Sequence, residues 1–308
     1  MYKRLELHNH TTESDGNMTP LELIQFMQQD KVDAFAITDH NTISGHLKIK
    51  GILSELGSDL SCIYGMEYTT YYGHILCFNL NEYVPWENIN INKPELLFQA
   101  VKERGALTGI AHPFSKGHPF ARGCRFDMNI KDYHSFDFIE IINNSQSLNE
   151  INKRGIQWWE ELVLNGYPLA CTSGMDLHKH REMKNQFATF IEGDSDGSME
   201  EELKAAIKKQ RTWVSRGPIL ETTIDLTHEK LTFSIVNTKK PGYCHSDTEP
   251  YYLTLKTKRG ILTEEISMEN PLTISFPVFE QETIILPKLY YSDTIIDNLV
   301  VVAPTIYM

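Results

Sequence analysis

The sequence predicts an α/β protein: a parallel sheet or barrel over residues 1–217, then a small all-β, sandwich-like domain over residues 218–308. Three observations predict it. Short apolar runs alternate with amphipathic helical stretches as far as Pro218, the pattern of parallel strands joined by crossover helices. Beyond Pro218 the helical period disappears, and alternating or β-branched runs follow one another. The 308 residues are 41% hydrophobic and 23% charged, a globular composition with enough chain for a sizeable core.

The elements follow in order. LELH opens the sheet, and a helix starts at Pro20, where Thr19 and Glu22 form a capping box and proline takes the first helical position. DAFAITDH reads as a buried strand, HLKIKGILSELG as a helix, and CIYGMEYTT and HILCFNL as strands in close succession. A helix over 93–105 leads to the strands ALTGIAH and FDFIEII, and a long helix spans 148–166. PLACTSG, QFATFIEG, the helix MEEELKAAIKKQ and RTWVSRGP complete the first part. In the second part TTIDL, KLTFSIV, YYLTLKT, TISFPVF, ETIILP and NLVVVAP are six short strands, with a turn at Lys240-Pro241-Gly242.

Composition excludes several classes. No run approaches the ~20 apolar residues of a membrane helix, and MYKRLELHNH lacks the apolar stretch of a signal peptide. Cys62, Cys77, Cys124, Cys171 and Cys244 are scattered without C-x-x-C spacing, as free thiols in a reducing compartment would be, so a cytoplasmic location is expected. The net charge is −12, which disfavours long nucleic acid and membrane surfaces as partners. An oligomer is compatible with the sequence but not indicated by it. Against that acidity stand twelve histidines.

Their positions carry the chemistry. His8 and His10 follow the first strand, His40 closes AITDH, Glu67 follows IYGM, His112 follows TGIA, and Asp176 and His178 follow ACTSGM. Strand C-termini form one face of a barrel, so these side chains converge there. His8-x-His10 projects two imidazoles to one side of an extended segment, and Asp176-x-His178 repeats that spacing. With Asp15 and His74 they make nine candidate ligands. At three to four protein ligands per metal they suffice for two or three divalent cations, with Glu67 able to bridge. Mixed imidazole and carboxylate suit Zn, Mn or Fe.

His8-Asn9-His10, Thr38-Asp39-His40, Gly65-Met66-Glu67, His112-Pro113 and Asp176-Leu177-His178, in that order, resemble the polymerase-and-histidinol-phosphatase (PHP) metal-dependent phosphoesterases. The stretches GHILCFNL, IEIIN and RTWVSRGP resemble the carbaryl-hydrolase-like branch. The resemblance implies a distorted (β/α)7 TIM-like barrel with a trinuclear metal centre. By resemblance His8, His10, Glu67 and Asp176 hold one metal, and Glu67 bridges to a second held by His74 and His112. Asp15, His40 and His178 hold a third.

The expected reaction is phosphoester hydrolysis of a small phosphorylated metabolite or nucleotide by a metal-activated hydroxide, held by Glu67, His8, His10 and Asp176. Phosphate recognition needs basic side chains. Lys116, Arg122 and Arg125, in the loop after His112, and Arg216 at a strand end are the candidates, with His118 and His180 near enough for lesser contacts. Asp39 is expected to orient a ligand, and Glu140 and Asn143 to line the pocket or support it. His46 and His134 read as surface or helix-terminal groups, and Trp158-Trp159 as core. Two other functions fit the residues: hydrolysis of non-phosphate esters or carbamates, and a metal-stabilised binding module whose sandwich docks a partner. Polymerase-linked proofreading is disfavoured because no basic track follows the barrel, although short oligonucleotide ends remain compatible.

Overall fold

A computed structural model describes residues 1–87, 89–117, 122–194, 197–238, 240, 250–279 and 282–308. Strand β1 (Tyr2–Glu6) leads through helix α1 (Pro20–Gln29) to β2 (Ala34–Ile37), and α2 (Gly45–Leu56) leads to β3 (Ser61–Thr70). These three strands are parallel, with Leu5 opposite Ala34 and Phe35 opposite Cys62. Thr19 caps α1 as expected: its hydroxyl accepts from the Glu22 amide while the Glu22 carboxylate accepts from the Thr19 amide.

The run of parallel strands breaks at β4 (Gly73–Phe78), which runs antiparallel to β3 with Thr69 opposite His74. Two residues separate β3 from β4, and a parallel crossover needs a dozen or more. Here lies the distortion of the barrel. Its turn ends on Gly73 at φ +150°, where a Cβ would come within 2.6 Å of the Phe126 ring. Strand β5 (Leu107–Ile110) pairs antiparallel with β4 after helix α3 (Glu95–Glu103). Strands β6 (Phe138–Asn143) and β7 (Ala170–Gly174) then continue in parallel. Between them the expected long helix is a π turn (Leu148–Asn152) running into α4 (Lys153–Leu164).

Strand β8 (Ala188–Glu192) pairs antiparallel with β1 and with β9 (Thr212–Ser215), across helix α5 (Met199–Lys208). The barrel closes between β7 and β8–β9 largely through threonine side chains. Thr189 Oγ1 accepts from the Ser173 amide at 2.9 Å and donates to its carbonyl at 3.1 Å, and Thr212 Oγ1 donates to the Cys171 carbonyl at 2.7 Å.

The second part is two β layers, and one of them continues the barrel sheet. Strands β10 (Pro218–Asp225), β11 (Lys230–Asn237) and β14 (Leu272–Ser275) form a three-stranded antiparallel sheet. Strands β12 (Tyr251–Lys256), β13 (Ile261–Ile266), β15 (Ile284–Tyr291) and β16 (Leu299–Val302) reach the barrel through β16, where Val301 faces Ser215 and Val302 faces Val214 of β9. The short β17 (Ile306–Tyr307) pairs with β15. Leu220, Phe233, Leu253, Ile285 and Val301 fill the space between the layers, together with Phe190 and Trp213 from the barrel. The expected turn at Lys240-Pro241-Gly242 falls on positions of which only Lys240 lies within the described residues.

Two sequence readings need correction. The strand β13 escaped notice because it lies at a sheet edge with Ile261 and most of its length exposed, so no alternation marks it. His46 stands in the first turn of α2, as a helix-terminal group, but is buried rather than at the surface: its Nε2 lies 2.8 Å from the Gly65 carbonyl, tying α2 to β3.

Candidate metal centre

Residues at strand ends meet because their strands are neighbours. His10 donates its amide to the Leu177 carbonyl at 2.9 Å, and Leu177 donates to the His8 carbonyl at 3.1 Å. The two motifs, whose middle residues Asn9 and Leu177 lie 168 residues apart in the chain, are thereby fixed side by side as a parallel bridge.

 Asn9 holds the register, donating its side-chain amide to the Glu6 carbonyl at 3.0 Å and the Ala36 carbonyl at 2.9 Å. The β3–β4 hairpin puts Glu67, Thr69 and His74 on one face by the period of two along each strand.

Glu67 stands at the centre. Its Oε2 lies 3.4 Å from His8 Nε2 and 3.5 Å from His10 Nε2, and Asp176 Oδ1 lies 3.5 and 3.2 Å from the same two nitrogens. Four atoms around one cation at bonds of about 2.1 Å would be separated by about 3.4 Å, the edge of a tetrahedron. His8 Nε2, His10 Nε2 and Glu67 Oε2 are also buried without a hydrogen-bond partner, which is costly unless a cation lies between them. The donor set therefore fits a divalent metal. The other carboxylate oxygen, Glu67 Oε1, is 2.9 Å from His74 Nδ1 and 3.1 Å from His112 Nε2. Asp15 Oδ1 is 3.5 Å from His40 Nε2 and 3.3 Å from His178 Nε2. All nine candidate ligands thus gather around one pocket of about 590 Å³, whose lining includes Asp15, His40, His74, His112, Asp176 and His178.

Supporting side chains fix the imidazoles. His8 Nδ1 donates to Glu140 Oε1 at 2.9 Å, leaving Nε2 for the cluster, and Glu140 Oε2 accepts from the His112 amide at 3.0 Å. His112 Nδ1 donates to the Cys124 carbonyl at 3.0 Å. Asn143 Nδ2 donates to Asp176 Oδ2 at 3.1 Å. Asp39 accepts from the Thr11 amide and hydroxyl and from the Ser14 hydroxyl, at 2.7–2.8 Å, and so shapes the loop that carries Asp15. Gly174 is required by closeness: a Cβ there would lie 2.4 Å from His8 Cβ and 2.6 Å from Glu140 Oε1. His112 (φ 24°) and Asp176 (φ 50°) are two candidate ligands whose backbone lies in the left-handed region.

The electrostatics are those of a cation site. Burial works to raise the Glu67 carboxyl, but His74, His8, His112 and His40 outweigh it and hold the group well below the usual range. Asp176 is likewise held well below by His8, His10 and His112 against the effect of burial. Burial pushes His10 down to about 4, whereas carboxylates hold His112 up to about 9 despite burial.

The expected phosphate-binding residues are less uniform in position. Lys116 lines the pocket and pairs with Glu150. Arg125 lies in the neighbouring groove, its Nε 3.3 Å from Asp127. The side chain of Arg122, and the whole of His118, lie outside the described residues. Arg216 does not line the pocket: its amide is bonded to Val300 in the β9–β16 joint, and its guanidinium lies 4.8 Å from the Phe187 ring centre. His180 packs on Phe26 of α1. Sequence reasoning overlooked Thr69, whose hydroxyl contacts His40 Nδ1; its place two residues beyond Glu67 on the same strand face was the available signal. Among the described residues, none of 218–308 lines the pocket.

A pocket of imidazoles and carboxylates at the strand ends of an α/β barrel defines a metal-dependent hydrolase. Residues 6–147 match the PHP domain family, so that stretch of the chain is similar to a PHP domain. An uncharacterized protein of Methanocaldococcus jannaschii is 28% identical over 164 residues, 49% of this chain and 92% of that one. The 5′-3′ exoribonuclease Rnm of Escherichia coli is 33% identical over 102 residues, 32% of this chain; the match spans only 33% of that enzyme. A crystal structure of a two-domain Bacteroides vulgatus protein, described as containing a predicted PHP-like metal-dependent phosphoesterase, covers 99% of this chain and 95% of its own. Its TM-score is 0.56 at 17% identity, a likeness of fold that includes the second part. No helix among the described residues is long and apolar enough to cross a membrane.

Proposed function

We propose that this protein hydrolyses phosphoesters of a small phosphorylated metabolite or nucleotide, using two or three divalent metals held by the nine residues around Glu67. The observation that carries the reading is the set His8 Nε2, His10 Nε2, Glu67 Oε2 and Asp176 Oδ1, with separations of 3.2–3.5 Å and three of the four atoms lacking hydrogen-bond partners. Metals bound there supply an activated water, its pKa lowered from ~15.7 toward ~7, and a clamp on the phosphoryl oxygens.

The chain's own residues do the rest. Glu140 and the Cys124 carbonyl hold the His8 and His112 rings by their Nδ1 hydrogens, so that each Nε2 faces the pocket. Glu67 faces His8 and His10 with one oxygen and His74 and His112 with the other, which suits it to join two metals. Asp176 completes the first group, and Asp39 sets the loop that brings Asp15 to His40 and His178. Among the described side chains, Lys116 is the basic one that lines the pocket and can meet a phosphate, once released from Glu150. The exoribonuclease relative favours the nucleotide arm of this substrate class, through a match to about a third of that enzyme.

Metal analysis of the purified protein, combined with a phosphate-release screen over sugar, amino-acid and nucleoside phosphates, tests the reading. The expected result is Zn, Mn or Fe at two or three equivalents, with release that a chelator abolishes. Asp176→Ala should lower turnover by on the order of 10³-fold. Full, chelator-insensitive turnover in that variant would overturn it.

A further inference from the structure

We propose that the groove beside the metal pocket is a second anion site of the same active centre, built to hold the next phosphate of a short oligonucleotide whose terminal phosphoester lies at the metals. The proposal rests on the phosphoesterase reading and adds its substrate class. The groove measures about 1140 Å³ and shares Ser115 and Lys116 with the pocket, so one ligand can run from the first into the second. Lys116, Arg125, Lys153 and Arg154 line it, against the acids Asp127 and Glu150. A basic excess here is notable on a chain of net charge −12.

The four basic groups are not equivalent. Lys116 is paired with Glu150 and Arg125 with Asp127. Lys153 and Arg154, exposed on the first turn of α4, have no carboxylate partner among the described residues. Their charges are available to a ligand. Phe114 and the buried Ile151 give the groove an apolar lining, suited to the sugar and base between two phosphates. The shared chemistry is a second phosphate within reach of the first, and a small bisphosphorylated metabolite could also present it.

The test uses the metal-loaded full chain and the charge-reversed double variant Lys153→Glu/Arg154→Glu. Three substrates are compared: p-nitrophenyl phosphate, fructose 1,6-bisphosphate and 5′-phosphorylated tetrathymidylate. The variant should raise KM for the tetranucleotide by about tenfold or more and flatten its dependence on salt, because two phosphate contacts are lost. Its kcat, and both constants for p-nitrophenyl phosphate, should stay unchanged. A matching rise for fructose 1,6-bisphosphate alone would support the second anion site but overturn the oligonucleotide as its occupant. No change with either two-phosphate substrate, or an equal loss on p-nitrophenyl phosphate, would overturn the site. Fluorescence anisotropy of a 3′-labelled tetrathymidylate provides a readout independent of turnover. Binding weakened by the variant, with no phosphate released from any substrate by the wild type, would overturn the hydrolase reading and leave the groove standing. Both side chains are exposed, and an unchanged melting temperature verifies that the variant is folded.

Discussion

Glu140 shows how far a side chain can shape this centre without facing the pocket itself. Both its oxygens are committed, one to the His8 ring and the other to the His112 amide, and it is buried. Glu140→Gln keeps the shape but can leave a donor facing the His8 Nδ1 hydrogen, so the ring loses its orientation. Metal affinity, measured by competition with a chromogenic chelator, should fall by about 10–100-fold. The melting temperature of the metal-free variant should change little. A parallel collapse of apo stability would instead make Glu140 a structural group. At this scale the sequence was legible where chemistry and position coincide: His8, His10, His112 and Asp176 each follow an apolar run, and an apolar run ends where a strand does. The roles of Glu140 and the Cys124 carbonyl were not legible, because neither spacing nor residue type says which imidazole lies opposite. The register of β6 against its neighbours decides that, as does the path of the loop after His112.

Among the elements, the β3–β4 hairpin and the β9–β16 joint distinguish this chain from a regular barrel. The first was readable in principle, since two residues cannot carry a parallel crossover. The second was not, because the pairing of Val301 with Ser215 joins residues distant in sequence. A buried ion cluster adds to the joint: Glu160 on α4 meets Lys288 of β15 at 2.5 Å and Lys256 of β12 at 2.6 Å. Replacing Lys288 by Met leaves the buried carboxylate with one partner and should cost about 2–4 kcal/mol at pH 7, read by urea denaturation. The pH dependence has a definite sign. Burial lowers the Lys288 pKa, but Glu160 and Tyr290 more than reverse this, so the folded value is raised. Its stabilisation is fully present below the unfolded value of about 10.4 and fades as pH rises through the folded one. The gap between wild type and variant should therefore narrow only in strong alkali. A gap that stayed constant there would assign the loss to packing.

Over the whole molecule, the joined sheet makes the metal centre and the second part a single mechanical unit. The core between the two β layers draws on Phe190 and Trp213 of the barrel, and β8, which carries Phe190, pairs directly with β1, the strand leading to His8. Hydrogen bonding between β9 and β16 runs across the change of sequence pattern at residue 217. The −12 charge gives a similar contrast: Asp15, Glu67 and Asp176 place three acids against six histidines in the pocket, and divalent cations would reverse its sign. Ligands that bind only the folded state stabilise it by mass action, by about 4.1 kcal/mol at 1,000 times Kd. Calorimetry with and without chelator should therefore show a higher melting temperature with metal. Because Phe190 and Trp213 of the barrel pack among second-part residues, and Leu286, Leu299 and Val302 pack among barrel residues, the transition should remain single and move as a whole. Two transitions, with only one displaced by metal, would show instead that residues 218–308 fold independently of the centre they adjoin.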